Sequence, residues 1–255
     1  MKKLFLIIPI FILIFVSGQQ TLEISVNGLK RNAIIFPPKE ITNKTPVLFV
    51  YHGHGGNANL ASRKMNFQEY YPEALVVFMQ GIPGTRGIKT DPEGLLNGWQ
   101  LFPNDQNGRD LEFFDEMLKT IRKKYNIEAQ KIFVAGHSNG ARFANVLWAT
   151  RSSDLKGIIS VSAQGGRMIQ GASPISVWMC MGTKDPIVPF EDQEKSIPVV
   201  KENLGISNQP GKKIDDDKIL YNGIQNTKLM VEERQGGHEF PREDLPAMVE
   251  FMKSL

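Results

Sequence analysis

The sequence of 255 residues has a single cysteine, four histidines and no clear excess of either charge. One thiol, Cys180, cannot form an intramolecular disulfide, so the fold must be stabilised by its core. The 30 basic and 27 acidic side chains nearly balance, which argues against a nucleic-acid-binding protein. An apolar share of 41% is ordinary for a globular chain and excludes intrinsic disorder.

The longest apolar run is too short to span a bilayer. It covers residues 4–16 and follows two lysines, whereas a membrane-spanning helix needs about 20 residues. A basic start, a short apolar stretch and small residues after it are typical of a secretory signal peptide. We therefore predict a removable leader at 1–18, a single mature domain at 19–255, and secretion to the periplasm or the medium with no stable membrane anchor. A permanent N-terminal anchor is the alternative.

Short apolar runs alternate with helical patterns in the rest of the chain. The predicted strands lie at residues 47–51, 75–79, 131–135, 157–161, 175–181 and 228–231. The predicted helices lie at residues 60–70, 110–126, 139–150 and 243–253. A hairpin is expected to turn at Asn27-Gly28. This order predicts an α/β fold with a mostly parallel central sheet, helices on both faces and an N-terminal antiparallel hairpin. Cys180 lies within a predicted strand and is expected to be a buried packing residue.

The segment Gly136-His137-Ser138-Asn139-Gly140 satisfies the pattern G-x-S-x-G between a predicted strand and a predicted helix. In that context the pattern predicts a tight turn that exposes the serine hydroxyl above the sheet. The N-terminus of the following helix supplies free backbone N–H groups where negative charge would develop. Ser138 is therefore a candidate nucleophile, and a helix-capping serine is the alternative.

A serine nucleophile needs a base, and the base needs a carboxylate to orient it. Only one histidine, His238, follows Ser138 in the chain, in a loop after a predicted strand. Asp185 follows the most apolar strand of the second half and is the candidate acid. The alternatives are that His238 is a surface histidine without a role and that Asp185 is a structural turn residue.

Residues 52–56, His-Gly-His-Gly-Gly, come directly after a predicted strand. Glycines there allow the backbone to fold over the end of the sheet and to direct an N–H group at the nucleophile. The pair His52 and His54 also suggests a metal site, but no third ligand lies at a familiar zinc spacing. The glycines do not match the dinucleotide-binding pattern. We expect no cofactor and no metal.

Four segments together resemble the group of polyhydroxybutyrate depolymerases and feruloyl esterases. They are residues 52–57, 136–140, 182–189 and 237–241. The resemblance implies the α/β-hydrolase fold, Ser138 as nucleophile, Asp185 as acid and His238 as base. It also implies that the backbone N–H groups of His54 and Asn139 form the oxyanion hole. The sequence departs from the family at Met181, Ala141 and Phe240, where His, Gly and Trp are usual.

The resemblance implies a secreted serine esterase without a cofactor. Its substrate would be a small ester or an ester linked to a polysaccharide, such as a feruloyl or acetyl ester of plant polysaccharide, or a short hydroxyalkanoate ester. Trp99, in the long irregular stretch 81–108, is a candidate for stacking on the substrate, and a buried loop anchor is the alternative. A serine peptidase and a non-catalytic binding module on the same fold remain competing hypotheses.

Overall fold

The computed structural model describes residues 18–125, 127 and 130–255. Nearly all of the predicted leader therefore lies outside the described residues. In the part of the chain that the structure describes, no helix has the length and apolar character needed to cross a membrane.

One sheet of ten strands runs through these residues. The strands are β1 (Gln20–Val26), β2 (Leu29–Phe36), β3 (Val47–Tyr51), β4 (Leu75–Met79), β5 (Ile132–His137), β6 (Gly157–Val161), β7 (Ser176–Gly182), β8 (Lys212–Lys213), β9 (Lys218–Asn222) and β10 (Lys228–Arg234). Their spatial order is β1-β2-β4-β3-β5-β6-β7-β10-β9-β8. The six neighbouring strands β4, β3, β5, β6, β7 and β10 pair in parallel. Antiparallel pairs add β1 and β2 at one end and β9 and β8 at the other.

Helices cover both faces of this sheet. They are α1 (Ala58–Lys64), α2 (Phe67–Tyr70), α3 (Arg109–Tyr125), α4 (Asn139–Arg151), α5 (Phe190–Glu194), α6 (Ser196–Asn203) and α7 (Leu245–Lys253). Because side chains alternate along a strand, β3 contributes Phe49 to a core beneath α3 and α4, and Leu48 to a core beneath α1, α2 and α7. The predicted layered fold is confirmed.

The prediction of a single helix at 60–70 is wrong, because the helical conformation is interrupted between α1 and α2. Asn66 has ψ 52, which no helix accommodates, and its side-chain amide bonds the Glu69 carboxylate instead. Asparagine competes for local hydrogen bonds in this way and favours turns. The helices α5 and α6 were not predicted, and α6 contains Pro198. Proline is tolerated there because it lies in the first turn of α6.

Cys180 occupies a buried position in β7, as predicted. Burial raises the pKa of its thiol well above the usual value, so the neutral form persists at ordinary pH. The side chain therefore acts as a small packing group.

Candidate active site

Four loops meet at the carboxyl edge of the parallel sheet. They follow β3, β5, β7 and β10, and they carry His54, Ser138, Asp185 and His238 respectively. Parallel strands all end at one edge of a sheet, so residues that are distant in sequence converge there. The structure brings together the side chains that the sequence singled out.

Ser138 lies on a strained turn between β5 and α4. Its backbone has φ 55 and ψ −121, and its side chain makes no capping hydrogen bond. A side chain on Gly136 would overlap the carbonyl of Gly140, and one on Gly140 would overlap the carbonyl oxygen of Tyr51. Only glycine fits at these positions, because strand, turn and helix cross at van der Waals contact. The alternative of Ser138 as a simple helix cap does not agree with this geometry.

A continuous chain of hydrogen bonds links three side chains at this edge. The His238 Nε2 atom lies 2.8 Å from Ser138 Oγ, and the His238 Nδ1 atom lies 2.8 Å from Asp185 Oδ2. An ionised carboxylate only accepts hydrogen bonds, so Nδ1 carries the ring proton and Nε2 is left to accept one from the hydroxyl. The histidine is thus oriented for taking a proton from Ser138.

The Asp185 carboxylate is surrounded by donors. Its Oδ1 accepts the backbone N–H groups of Ile187 at 2.8 Å and Val188 at 2.9 Å, and Gln193 donates to Oδ2 at 3.1 Å. Burial raises the pKa of this carboxyl, but hydrogen bonds from Val188, His238 and Ile187 outweigh it and leave the pKa below the usual value. Asp185 therefore stays ionised at neutral pH.

The two predicted oxyanion donors flank the serine turn. Asn139 is the first residue of α4, where a backbone N–H has no partner within the helix. The His54 N–H lies in the loop after β3. Among the described residues, neither N–H donates to a protein acceptor. Both groups are therefore available to a ligand.

Sequence reasoning assigned no role to His137, which the structure places directly against His238. Its Nε2 donates to the carbonyl oxygen of His238 at 2.5 Å, and the centroids of the two imidazole rings lie 5.1 Å apart. Burial lowers the pKa of His137 to about 4, so the ring is neutral. The only sequence signal was its place inside the serine motif.

The structure rejects Trp99 as a stacking residue for substrate. Its side chain is fully buried, stacks on Phe143 and packs edge-on against Tyr51. Its ring N–H donates to the backbone oxygen of His52 at 2.9 Å. The alternative, a buried anchor of the long loop, is correct, because an indole can satisfy its one donor while burying its ring.

The histidines considered as metal ligands are both held by the protein. The His52 Nδ1 atom donates to Gly53 O at 2.7 Å, and Nε2 accepts the Gly81 N–H at 3.0 Å. The His54 Nε2 atom bonds the Asp91 carboxylate at 2.9 Å. These contacts give each imidazole a structural role in the loop after β3.

Several known proteins that this chain resembles are named as ester hydrolases. No family model matches it. Feruloyl esterase D of Neurospora crassa is 26% identical over 239 residues, which are 89% of this chain and 80% of that protein. The acetyl xylan esterase from Aspergillus awamori superposes with a TM-score of 0.67 at 12% identity, over 92% of this chain and 100% of that one. The carboxylesterase of Bacillus cereus has a TM-score of 0.63 at 21% identity, over 88% and 95% of the two chains.

The chain has the α/β-hydrolase fold and is similar in sequence to feruloyl esterases. The predicted resemblance, fold and enzyme class, a hydrolase of carboxylic esters, are confirmed. The identity of the catalytic residues stays a prediction, which the hydrogen bonds between Asp185, His238 and Ser138 support.

Proposed function

We propose that the protein is a secreted serine esterase that uses Ser138, His238 and Asp185 to hydrolyse carboxylic esters of plant polysaccharide or of short hydroxyalkanoates. The observation that supports it most strongly is the unbroken hydrogen-bond chain from Asp185 through His238 to Ser138, with 2.8 Å at both links.

In the first half of the reaction, Ser138 Oγ attacks the ester carbonyl carbon. The hydroxyl proton passes to His238 Nε2 as the Oγ–C bond forms, and the carbonyl π electrons move to the oxygen. The imidazolium then gives its proton to the alcohol oxygen as the C–O bond breaks. The acyl group remains on Ser138.

Water completes the cycle by the same steps. His238 accepts a proton from water while the oxygen bonds to the acyl carbon, and the proton returns to Oγ as the acid leaves. The Asp185 carboxylate stabilises the imidazolium in both halves and stays ionised, consistent with its lowered pKa.

The negative oxygen formed in each half needs donors that are already in place. The N–H groups of His54 and Asn139 fulfil this role in our proposal, and the N-terminus of α4 adds its partial positive charge. Loss of one such donor typically lowers kcat by about 100- to 1000-fold.

The loop after β3, which carries His54 and which we call the oxyanion loop, lies beside a surface that favours an acyl group with apolar character. Leu95 is 74% exposed and Leu96 is 49% exposed. The Leu96 side chain borders Gly55, next to the proposed donor His54. Together with the relation to feruloyl esterase D, this surface makes a feruloyl ester the first substrate to test.

The secreted location is part of the proposal and rests on the leader at 1–18. The mass of the exported chain in the native host would test it, since cleavage after Gly18 predicts a mature chain beginning at Gln19. An exported chain that retains its leader would contradict the predicted release from the membrane.

The nucleophile is tested with Ser138→Ala, and the exposed Ser207→Ala serves as a matched control. Both variants and the native protein are assayed on p-nitrophenyl acetate, methyl ferulate, acetylated xylan and a peptide p-nitroanilide. We expect loss of ester hydrolysis by at least about 1000-fold in Ser138→Ala alone, with little cleavage of the anilide. Equal ester turnover in both variants would contradict the proposal, and faster anilide cleavage would favour a peptidase.

A further inference from the structure

We propose that residues 91–99, which we call the clamp segment, hold the two oxyanion donors at a fixed separation, and that Asp91 is a positioning residue that acts through the side chain of His54. The inference rests on the proposed esterase function and adds to it a residue that touches neither the substrate nor the reacting atoms.

The two donors lie on separate elements. His54 belongs to the loop after β3, and Asn139 begins α4. Donors stabilise an oxyanion fully only when each lies 2.7–3.1 Å from it. Something must therefore fix the distance between these two residues before substrate binds.

Asp91 binds the first donor residue. Its Oδ2 atom lies 2.9 Å from His54 Nε2, and the carboxylate accepts the backbone N–H groups of Leu95 and Leu96, both at 2.9 Å. The residue is only 6% exposed. A buried carboxylate with three hydrogen bonds is a rigid attachment point for the His54 ring.

Trp99, at the other end of the clamp segment, binds the second donor residue. The side-chain amide of Asn139 accepts the Trp99 N–H at 2.8 Å and donates to the Trp99 carbonyl at 3.0 Å. These two hydrogen bonds fix the side chain of Asn139 and leave its backbone N–H free. The clamp segment thus bonds both donor residues through their side chains.

Gly98 lies between the two donor side chains. A Cβ atom at this position would be 2.9 Å from His54 Nδ1 and 3.2 Å from Asn139 Oδ1. The backbone of the segment also binds the oxyanion loop, because Asn97 O accepts the Gly55 N–H at 2.7 Å. A shift of the clamp segment would consequently move the residues on both sides of the oxyanion.

The clamp segment is separate from the acid–base chain. Among the described residues, none of its hydrogen bonds reaches the side chains of Ser138, His238 or Asp185. Changes at Asp91 should therefore weaken the binding of the oxyanion and leave proton transfer intact. This separation gives the proposal a distinctive signature in kinetics.

The test uses Asp91→Asn in the full chain. An asparagine amide cannot accept from all three donors, because its NH₂ group must face at least one of them. We expect kcat for methyl ferulate to fall by about 10- to 100-fold, as for a misplaced rather than an absent donor. KM and the pH profile should stay close to the native ones.

A boronic acid inhibitor supplies a second readout, because its adduct on a serine places a negative oxygen in the oxyanion position. Its inhibition constant should rise in Asp91→Asn by the same factor by which kcat/KM falls. Asp216→Asn is the matched control, since it makes the same change at an exposed position outside the clamp segment. We expect native activity and native inhibition from Asp216→Asn.

A double-mutant cycle with His54→Asn tests the route of the effect. His54→Asn keeps the backbone donor and removes the partner of Asp91, so the double variant should be no slower than the slower single variant. Additive losses would overturn the assignment, because Asp91 would then act through another group. If Asp91→Asn does not fold, His54→Asn carries the same prediction alone, and native kinetics in it would overturn the proposal.

The outcome for Ser138→Ala separates the two proposals. If Ser138→Ala is inactive and Asp91→Asn matches the native protein in kcat and in boronic acid binding, the esterase stands and the clamp is wrong. If Ser138→Ala is as active as the native protein, the esterase mechanism is wrong and the clamp falls with it.

Discussion

Two histidines beside the active site, His52 and His137, should each lower the stability of the protein on acidification from pH 7 to pH 5. Burial lowers the pKa of His52 and that of His137 to about 4 each. For His52 the geometry gives the reason directly, because Nε2 accepts the Gly81 N–H. A proton on that nitrogen would face another donor and break the bond.

The sign and size of the effect follow from the two pKa values. Between pH 6.5 and 4 the unfolded chain binds more protons at these histidines than the folded protein, so stability falls as the pH falls. With a pKa of about 6.5 in the unfolded chain and about 4 in the folded protein, each histidine lowers the free energy of unfolding by about 2 kcal/mol between pH 7 and pH 5. The two together lower it by about 4 kcal/mol.

A buried glutamate opposes this trend in the native protein. Burial raises the pKa of Glu232, whose carboxylate also accepts the ring N–H of Trp178 at 2.7 Å. A raised carboxyl pKa stabilises the folded state as the pH falls. The net change for the native protein therefore mixes two signs, and only a comparison with variants isolates the histidines.

The assay is urea unfolding at pH 7 and at pH 5 for the native protein, His52→Gln and His137→Gln. Glutamine has a donor and an acceptor but no titrating group, and the contribution of Glu232 cancels in the comparison. When the pH falls from 7 to 5, the free energy of unfolding of each variant should change by about 2 kcal/mol more favourably than that of the native protein. The same pH dependence in all three proteins would refute the reasoning.

Three other changes test the packing and the chemistry. Gly140→Ala forces a Cβ against the Tyr51 carbonyl oxygen and should lower the free energy of unfolding by about 3 kcal/mol, measured in urea; unchanged stability would contradict the packing argument. Asp185→Asn should keep the fold and lower kcat by about 10 000-fold, because the His238 tautomer is no longer fixed. Steady-state kinetics and a circular dichroism spectrum check this, and near-native turnover would contradict it. Arg31→Met breaks a buried ion pair with Asp110 at 2.9 Å and should lower the free energy of unfolding, measured in urea, by about 3 to 5 kcal/mol. A loss below about 1 kcal/mol would show that the pair behaves as an exposed one.

The convergence of the acid, base and serine was predictable because each follows a strand of a parallel sheet. Such strands end at one edge, so the order of Ser138, Asp185 and His238 along the chain was enough to expect their meeting. The antiparallel strand β9 was not among the predicted strands, because its order comes from pairing with β10.

The contacts between the loops could not be predicted. Asp91 lies 37 residues after His54 in a stretch without periodicity, so no local pattern links them. The burial of Trp99 likewise depends on Tyr51 and Phe143, which come from two other elements. Contacts of this kind appear only once the sheet has placed the loops side by side.

The central claim, an activated Ser138, is tested most directly by covalent labelling with a fluorophosphonate and mass spectrometry of the digested protein. We predict one adduct, on Ser138, formed quickly in the native protein and much more slowly in His238→Gln. An adduct on another residue, or no adduct on native protein that still hydrolyses esters, would contradict the account.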